Sequence, residues 1–233
     1  MLKIKQFRYS ADNFAYVIYG DAAAGVVDGG AVEKILAFLA DADLKLQFIA
    51  NTHQHADHTV GTARLQDRTG APVYDNLTLR NRREIELEGR KISILETPGH
   101  TADSICFYFE NVLISGDTLF NGTIGNCFSG DLKGFLGSIK RLMALPAETL
   151  ICAGHDYVKS AMVFARLLEP ENLAIDQFLK RYDPARVFST LQEELKVNPY
   201  LRFNDSRMVA VLEKKGLPVD SEYRRWESLM SLE

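Results

Sequence analysis

The 233-residue chain is short of several things, and each shortage excludes something. Its three cysteines, Cys106, Cys127 and Cys152, are too few and too scattered for a disulfide framework, so a reducing cytoplasm is the expected setting. The longest apolar runs, such as residues 35–40, fall far below the roughly 18 residues of a membrane span. The lysines near the N-terminus have no apolar segment behind them, and no signal peptide is expected. Basic excess is absent: the net charge is −4, without a basic stripe, which speaks against nucleic acid as a partner. At 46% hydrophobic the chain is too apolar for disorder and long enough to bury a full core. No repeat period or low-complexity tract is visible. Histidine is scarce too, with five copies in all.

What is present alternates between the two regular periods. Residues 2–9 and 13–19 read as a hairpin turned at Ser10, Ala11 and Asp12, and residues 25–28 as a third strand closed by Gly29 and Gly30. Val32, Ile35, Leu36 and Leu39 have the spacing of a helix with one buried face. Residues 46–51 form a short buried strand that runs into Thr52–His53–Gln54–His55–Ala56–Asp57–His58; a helix to about Thr69 is expected next, stopped by Gly70 and Pro72. Strand patterns return at 92–97, 104–109 and 112–115, the last two joined at Glu110–Asn111. Leu132, Phe135, Leu136, Ile139 and Leu142 mark another amphipathic helix, followed by a buried strand at 149–153. Beyond Glu169–Pro170 strand signals fade, and Ser189 with Gln192 has capping-box spacing before a short helix. The expected layout is an α/β core over residues 1–168 and a small helical region over 169–233.

All five histidines fall at or just beyond the end of an expected strand: His53, His55 and His58 after 46–51, His100 after 92–97, His155 after 149–153. Asp117 follows 112–115 in the same way. Such positions are where a rigid scaffold presents chemistry. Residues two apart in extended chain face one side, so His53 and His55 can reach one metal ion together. Asp57 and His58 lie where the chain turns into a helix and can serve a second ion, although Asp57 would also suit a helix cap. Taken singly, His100 or His155 would ordinarily be a surface or satisfied core residue, and Asp117 a turn former. Taken together, seven candidate ligands are too many for one tetrahedral ion and suit two ions sharing a carboxylate. Such ions lower the pKa of bound water from about 15.7 towards 7 and stabilise an oxyanion.

The His-x-His-x-Asp-His run, with His100, Asp117 and His155 following in order, resembles the signature of the metallo-β-lactamase-fold hydrolases. Within them the chain is similar to the glyoxalase II (hydroxyacylglutathione hydrolase) family, through Thr97–Pro98–Gly99–His100–Thr101, Gly116–Asp117–Thr118–Leu119–Phe120 and Gly154–His155–Asp156–Tyr157. Phe164–Ala165–Arg166, Glu169–Pro170–Glu171–Asn172, Ser189–Thr190–Leu191 and Asn198–Pro199 extend the resemblance through nearly the whole chain. It implies a four-layer αββα sandwich with a C-terminal helical appendage. It also implies two divalent ions, zinc first and iron or manganese as alternatives. His53, His55 and His100 would hold one; Asp57, His58 and His155 the other; Asp117 would bridge. Catalysis would rest on Asp57 and Asp117 through a metal-bridging hydroxide, and the implied reaction is hydrolysis of S-lactoylglutathione to lactate and glutathione. A thiol leaving group of pKa near 8.5 needs no strong general acid.

At the substrate end the chain departs from that family. The lysine and tyrosine by which the family commonly grips glutathione correspond to Asn126 and Phe128, which removes a cation and a hydroxyl. Tyr157 is retained, and Arg224 falls near a further family cation, with Glu227 at the next. The partner the resemblance implies is a small thioester, glutathione-linked, and the expected assembly a monomer or small homo-oligomer. The rival from another class is a persulfide dioxygenase, an oxidoreductase of the same fold that holds a single iron with the equivalents of His53, His100 and Asp117. The C-terminal blocks, and a loop at 121–130 unlike that family's, speak against it. A catalytically silent scaffold is disfavoured because degenerate members tend to lose ligands and all seven positions are occupied here.

Overall fold

In the computed structural model, which describes residues 1–232, two sheets lie face to face with helices outside both. The first sheet follows chain order: β1 (Lys3–Tyr9), β2 (Asn13–Tyr19), β3 (Ala23–Val27), β4 (Lys45–Ala50) and β5 (Val73–Tyr74). Its first three strands are antiparallel and its last three parallel, the crossovers being made by α1 (Val32–Asp41), then α2 (Ala56–Thr59) and α3 (Thr62–Thr69). After α4 (Asn76–Arg82) the second sheet is built from β6 (Glu84–Leu87), β7 (Arg90–Glu96), β8 (Ile105–Phe109), β9 (Val112–Gly116), β10 (Leu150–Ala153) and β11 (Ser189–Thr190). Its spatial order is β11-β10-β9-β8-β7-β6, with β9 and β10 parallel across α5 (Leu132–Met143). After β10 comes α6 (Val158–Leu168), and the C-terminal region adds α7 (Leu173–Arg181), α8 (Leu191–Val197), α9 (Ser206–Lys214) and α10 (Glu222–Met230).

Strand periodicity explains the layers. Along β2, Phe14, Tyr16 and Ile18 point into the space between the sheets, where they meet Ile92, Phe107 and Ile114. The intervening Ala15 and Val17 face outward and are covered by Ile35 and Leu39 of α1 and Leu65 of α3. The second sheet is two-sided in the same way. Leu113 and Ile151 face Phe135, Ile139 and Leu142 of α5, and Met208, Leu212 and Trp226 of the C-terminal helices enter this same cluster. The arrangement is the four-layer α/β sandwich expected; β2, β3 and β8 are apolar on both faces because both are buried, whereas β1 and β6 alternate with exposed polar residues. Among the described residues, no helix is long and apolar enough to cross a membrane.

Four local differences from the sequence-based expectation have physical causes. The helix expected to run to Thr69 is two helices, broken at Gly61, where a Cβ would lie 2.0 Å from the Gly29 carbonyl oxygen. The helix α4 has no apolar stripe, only Leu79 and the polar Asn76 being buried; it is defined instead by Asp75, whose carboxylate accepts from Thr78 N–H. The capping box sits one residue later than the Ser189–Gln192 spacing suggests, at Thr190 and Glu193. Ser189 is in β11, and its hydroxyl is turned to Glu194. Nor is the C-terminal region wholly helical, since β11 pairs with β10. The Glu110–Asn111 turn is as expected, with both residues left-handed at φ 44° and 63°.

Candidate metal centre

The loops leaving β4, β7, β9 and β10 open at one end of the sandwich, and they carry every histidine of the chain. The chain leaves β4 extended through His55, at φ −64° and ψ 145°, and then turns into α2, which presents Asp57 and His58 from a helical turn. His53 Nε2 stands 3.0 Å from His55 Nδ1, and His100 Nε2 stands 3.1 Å from that same atom. On the other side, His58 Nε2 and His155 Nε2 are 3.3 Å apart, and the Asp57 carboxylate is 3.3 Å from His155 Nε2. Asp117 lies between the two groups. Its Oδ1 is 3.2 Å from His58 Nε2, and its Oδ2 is 3.6 Å from His100 and 3.4 Å from His155 Nε2. The sets His53–His55–His100 and Asp57–His58–His155 each have donor atoms close enough to share an ion, as do His53, His58 and Asp117. All seven residues expected from the sequence are thus brought together.

The outer nitrogens settle which way the rings face. His58 Nδ1 is 2.9 Å from the buried Asp28 carboxylate, His155 Nδ1 is 3.2 Å from Asp12, and His100 Nδ1 is 3.0 Å from the Asn126 carbonyl oxygen. Each of those oxygens is an acceptor, so each Nδ1 donates and each inward Nε2 is a lone pair in the neutral ring. Asn13 Nδ2 donates to Asp57 at 2.9 Å and fixes that carboxylate. The centre therefore collects lone pairs and carboxylate oxygens aimed at one another, and the buried Asp117 Oδ1 has no hydrogen bond of acceptable geometry despite the nearby His58 ring. Apart from the Asn13 amide, 3.3 Å from His155 Nε2, what would satisfy such a set is a cation. Nitrogens bound tetrahedrally to zinc at 2.0–2.1 Å lie about 3.3–3.4 Å apart, close to the spacing here. Gly154 makes room for it, since a Cβ there would lie 2.1 Å from Asp117 Oδ1.

Without an ion, protons take its place. Burial works to lower the basicity of His58, but the carboxylates of Asp28 and Asp117 outweigh it and push the pKa up to about 11. Asp117 is held far below the usual carboxylate range: burial opposes ionisation, and His155 and His58 overcome it. His53, where burial dominates and His58 repels a second charge, falls to about 3.

Asp28, Asn13 and Asp12 were not among the residues singled out by spacing. The one local signal is at Asp28, an acid closing a buried strand before Gly29–Gly30, with φ 54°. Its carboxylate also accepts from Thr52 N–H and Thr52 Oγ1, both at 2.8 Å, and so anchors the start of the histidine run.

The four expected substrate contacts separate. Asn126 and Tyr157 line a cavity of about 520 Å³ beside the centre, together with Phe120, Ile124 and Phe164. Tyr157 stacks on His155, with ring centroids 5.1 Å apart. Phe128 is exposed and packs edge-on to His55 and His100. Arg224 lies on α10, where it pairs with Glu227 at 2.7 Å and not with a residue of the centre.

Residues 11–76 and 75–155 match the family model of the metallo-beta-lactamase superfamily, which with the fold and the paired donor sets defines the class of protein. Residues 156–229 match the hydroxyacylglutathione hydrolase C-terminus. A hydroxyacylglutathione hydrolase of Pseudoalteromonas translucida (strain TAC 125) is 32% identical over 250 residues, covering 100% of this chain and 97% of the relative. The chain belongs to the hydroxyacylglutathione hydrolase family. Among solved structures, ETHE1 from Myxococcus xanthus superposes with a TM-score of 0.69 at 26% identity, over 97% of this chain and 99% of that one. TTHA1623 in a di-iron-bound form gives a TM-score of 0.57 at 25% identity, over 81% of this chain and 95% of the other.

Proposed function

We propose that the protein hydrolyses the thioester of a hydroxyacylglutathione, S-lactoylglutathione in the first instance, releasing the hydroxy acid and glutathione. Two divalent ions, zinc by preference, would be held by His53, His55 and His100 on one side and by Asp57, His58 and His155 on the other, with Asp117 shared. The observation that carries this reading is the position of Asp117, whose Oδ2 lies 3.6 Å from His100 Nε2 in one donor set and 3.4 Å from His155 Nε2 in the other. Ions bound there supply Lewis-acid chemistry, acidifying water and offsetting negative charge on the carbonyl oxygen.

The chain's own residues do the rest. Asp28, Asp12 and the Asn126 carbonyl hold three rings with Nδ1 outward and Nε2 inward, so an ion replaces an inward proton without any ring having to turn. Asn13 turns the half-exposed Asp57 carboxylate towards His155. The cavity beside the centre takes the substrate, with the Asn126 amide and the Tyr157 hydroxyl as its polar handles and Phe120 and Phe164 as dry walls that exclude water. The thiol leaves as thiolate, its intrinsic pKa near 8.5 making a dedicated acid unnecessary. The dioxygenase alternative would leave Asp57, His58 and His155 without an ion, although each has an orienting partner of its own; this favours the hydrolase. We further take residues 1–168 as the catalytic unit and 169–233 as the helical substrate-binding region, in a cytoplasmic monomer or small homo-oligomer.

Elemental analysis beside a thioester assay tests the proposal. Two divalent ions per chain and thiol release from S-lactoylglutathione are expected. One iron per chain, with oxygen uptake on glutathione persulfide and no thiol release, would overturn it.

A further inference from the structure

The loop from Asp117 to Asn126 forms much of the candidate site. Phe120, Thr123, Ile124 and Asn126 line the cavity, and the Asn126 carbonyl oxygen holds His100. The loop's internal backbone links are few, the Leu119–Ile124 bridge and a 3.0 Å bond from Phe120 N–H to the Thr123 carbonyl. Its ties to the second sheet are at Ser115, which accepts from Thr118 N–H and donates through Oγ to the Leu119 carbonyl, and at the Ile151 carbonyl, 3.3 Å from Asn121 Nδ2. The tip of the loop is gripped from the C-terminal region. Glu194, on α8 and fully buried, accepts from Gly122 N–H at 2.8 Å and from Asn198 Nδ2 at 3.0 Å through one oxygen, and from Ser189 Oγ at 2.6 Å through the other. Asn198 Nδ2 also donates to the Thr123 carbonyl at 3.0 Å, and Asn121 Nδ2 donates to Ser189 Oγ at 2.6 Å. Asn121, Gly122 and Thr123 are therefore each held by the same three-residue cluster.

Three features say that this carboxylate is more than packing. Among the described residues it has no ion pair, and burial without one is costly compared with an apolar side chain of similar size. Burial accordingly raises its pKa to about 7 against the pull of the Ser189, Gly122 and Asn198 bonds. It is not needed to start α8, which is capped by Thr190 and Glu193. And Gly122 offers its N–H at φ +96°, where a Cβ would come within 2.5 Å of Met162, so the turn has a backbone form other residues rarely adopt.

We propose that Glu194 is a positioning residue for the candidate site, holding the Asn121–Thr123 turn so that the cavity wall and the Asn126 carbonyl on His100 keep their places. The kinetic part of this inference rests on the proposed hydrolase function; the structural part does not. Glu194→Asp keeps the charge but withdraws it by one methylene, whereas Glu194→Gln keeps an acceptor for Gly122 N–H. Hydrogen exchange over residues 118–126 and thioester kinetics are measured on full-length protein of matched metal content. Glu194→Asp is expected to speed exchange of the Gly122 amide about tenfold and to raise KM about five- to tenfold with kcat within about twofold, as loss of one charge-assisted hydrogen bond implies. Glu194→Gln is expected to stay within about threefold of the parent in both readouts. Unchanged exchange and KM in Glu194→Asp would overturn the inference, as would equal losses of kcat in both variants with KM unmoved. Should Glu194→Asp not fold, Ser189→Ala cuts the link to Asn121 with the carboxylate in place. Faster exchange at Asn121 with a raised KM then supports the inference, and no change in either refutes it. Parent protein that releases no thiol, while exchange responds as expected, removes the hydrolase reading and leaves the loop anchor standing.

Discussion

Replacing Asp28 by asparagine separates the role of an orienting carboxylate from that of the fold. Asp28 is buried and has φ 54°, a conformation that asparagine adopts about as readily as the aspartate it replaces, so the change adds no backbone strain. One amide oxygen can still accept from Thr52 N–H, at present 2.8 Å away. What cannot be kept is the second acceptor facing His58 Nδ1 at 2.9 Å. An amide NH2 there makes Nδ1 the acceptor and moves the ring proton to Nε2, where it faces Asp117 Oδ1 at 3.2 Å. The lone pair needed to hold an ion is then gone. Loss of an orienting partner typically costs about 10–100-fold in metal affinity, or about 1.4–2.8 kcal/mol. Only the side holding Asp57, His58 and His155 should weaken. Competition titration with a metal-sensitive chelator reads the two affinities separately. Asp28→Asn binding both ions as tightly as the parent would show that His58 is not oriented by Asp28 and would refute the tautomer reasoning.

Three other outcomes are expected. Asp117→Ala removes the oxygens that face both donor sets, and should lower kcat by several orders of magnitude together with metal content by elemental analysis. Asn126→Lys adds a cation to the cavity rim and should mainly lower KM for glutathione thioesters, with kcat little changed; an unmoved KM in steady-state assays would mean that the substrate carboxylates lie elsewhere. The metal-free protein should be most heat-stable near pH 6.5. His58, raised to about 11, contributes stability that is complete below its unfolded value and fades as pH rises towards 11. His53, lowered to about 3, must stay neutral in the fold, so stability also fades as pH falls from 6.5 towards 3. Added divalent metal should flatten the alkaline side of a Tm-against-pH curve, because ions replace the protons lost there.

Much of the metal centre is legible in the sequence because its ligands obey short-range rules. His53 and His55 are two apart in extended chain, His58 comes one helical turn later, and the distant ligands follow ends of strands whose apolar runs are plain to see. The orienting partners obey no such rule. Asn13 reaches Asp57 across 44 residues, Asp12 reaches His155 across 143, and Glu194 reaches Gly122 across 72. Each is an ordinary polar residue in its own segment. The need for glycine at the break between α2 and α3 escapes for a related reason, since it is the Gly29 carbonyl that leaves no room for a Cβ at Gly61.

The order of residues along the chain determined its periodicities, hence the strands, the amphipathic helices and the places where histidines leave the scaffold, because these depend on φ, ψ and side-chain direction over a few residues. Tertiary structure alone decided that the two donor sets meet around Asp117, that His58, His100 and His155 each have an acceptor on the outer nitrogen, and that Asn126 and Tyr157 share a cavity while Arg224 turns to Glu227. Those facts depend on how two sheets and their covering helices close on one another, and that closure is governed by burial of apolar faces, which carries no local record of which polar groups it brings into contact.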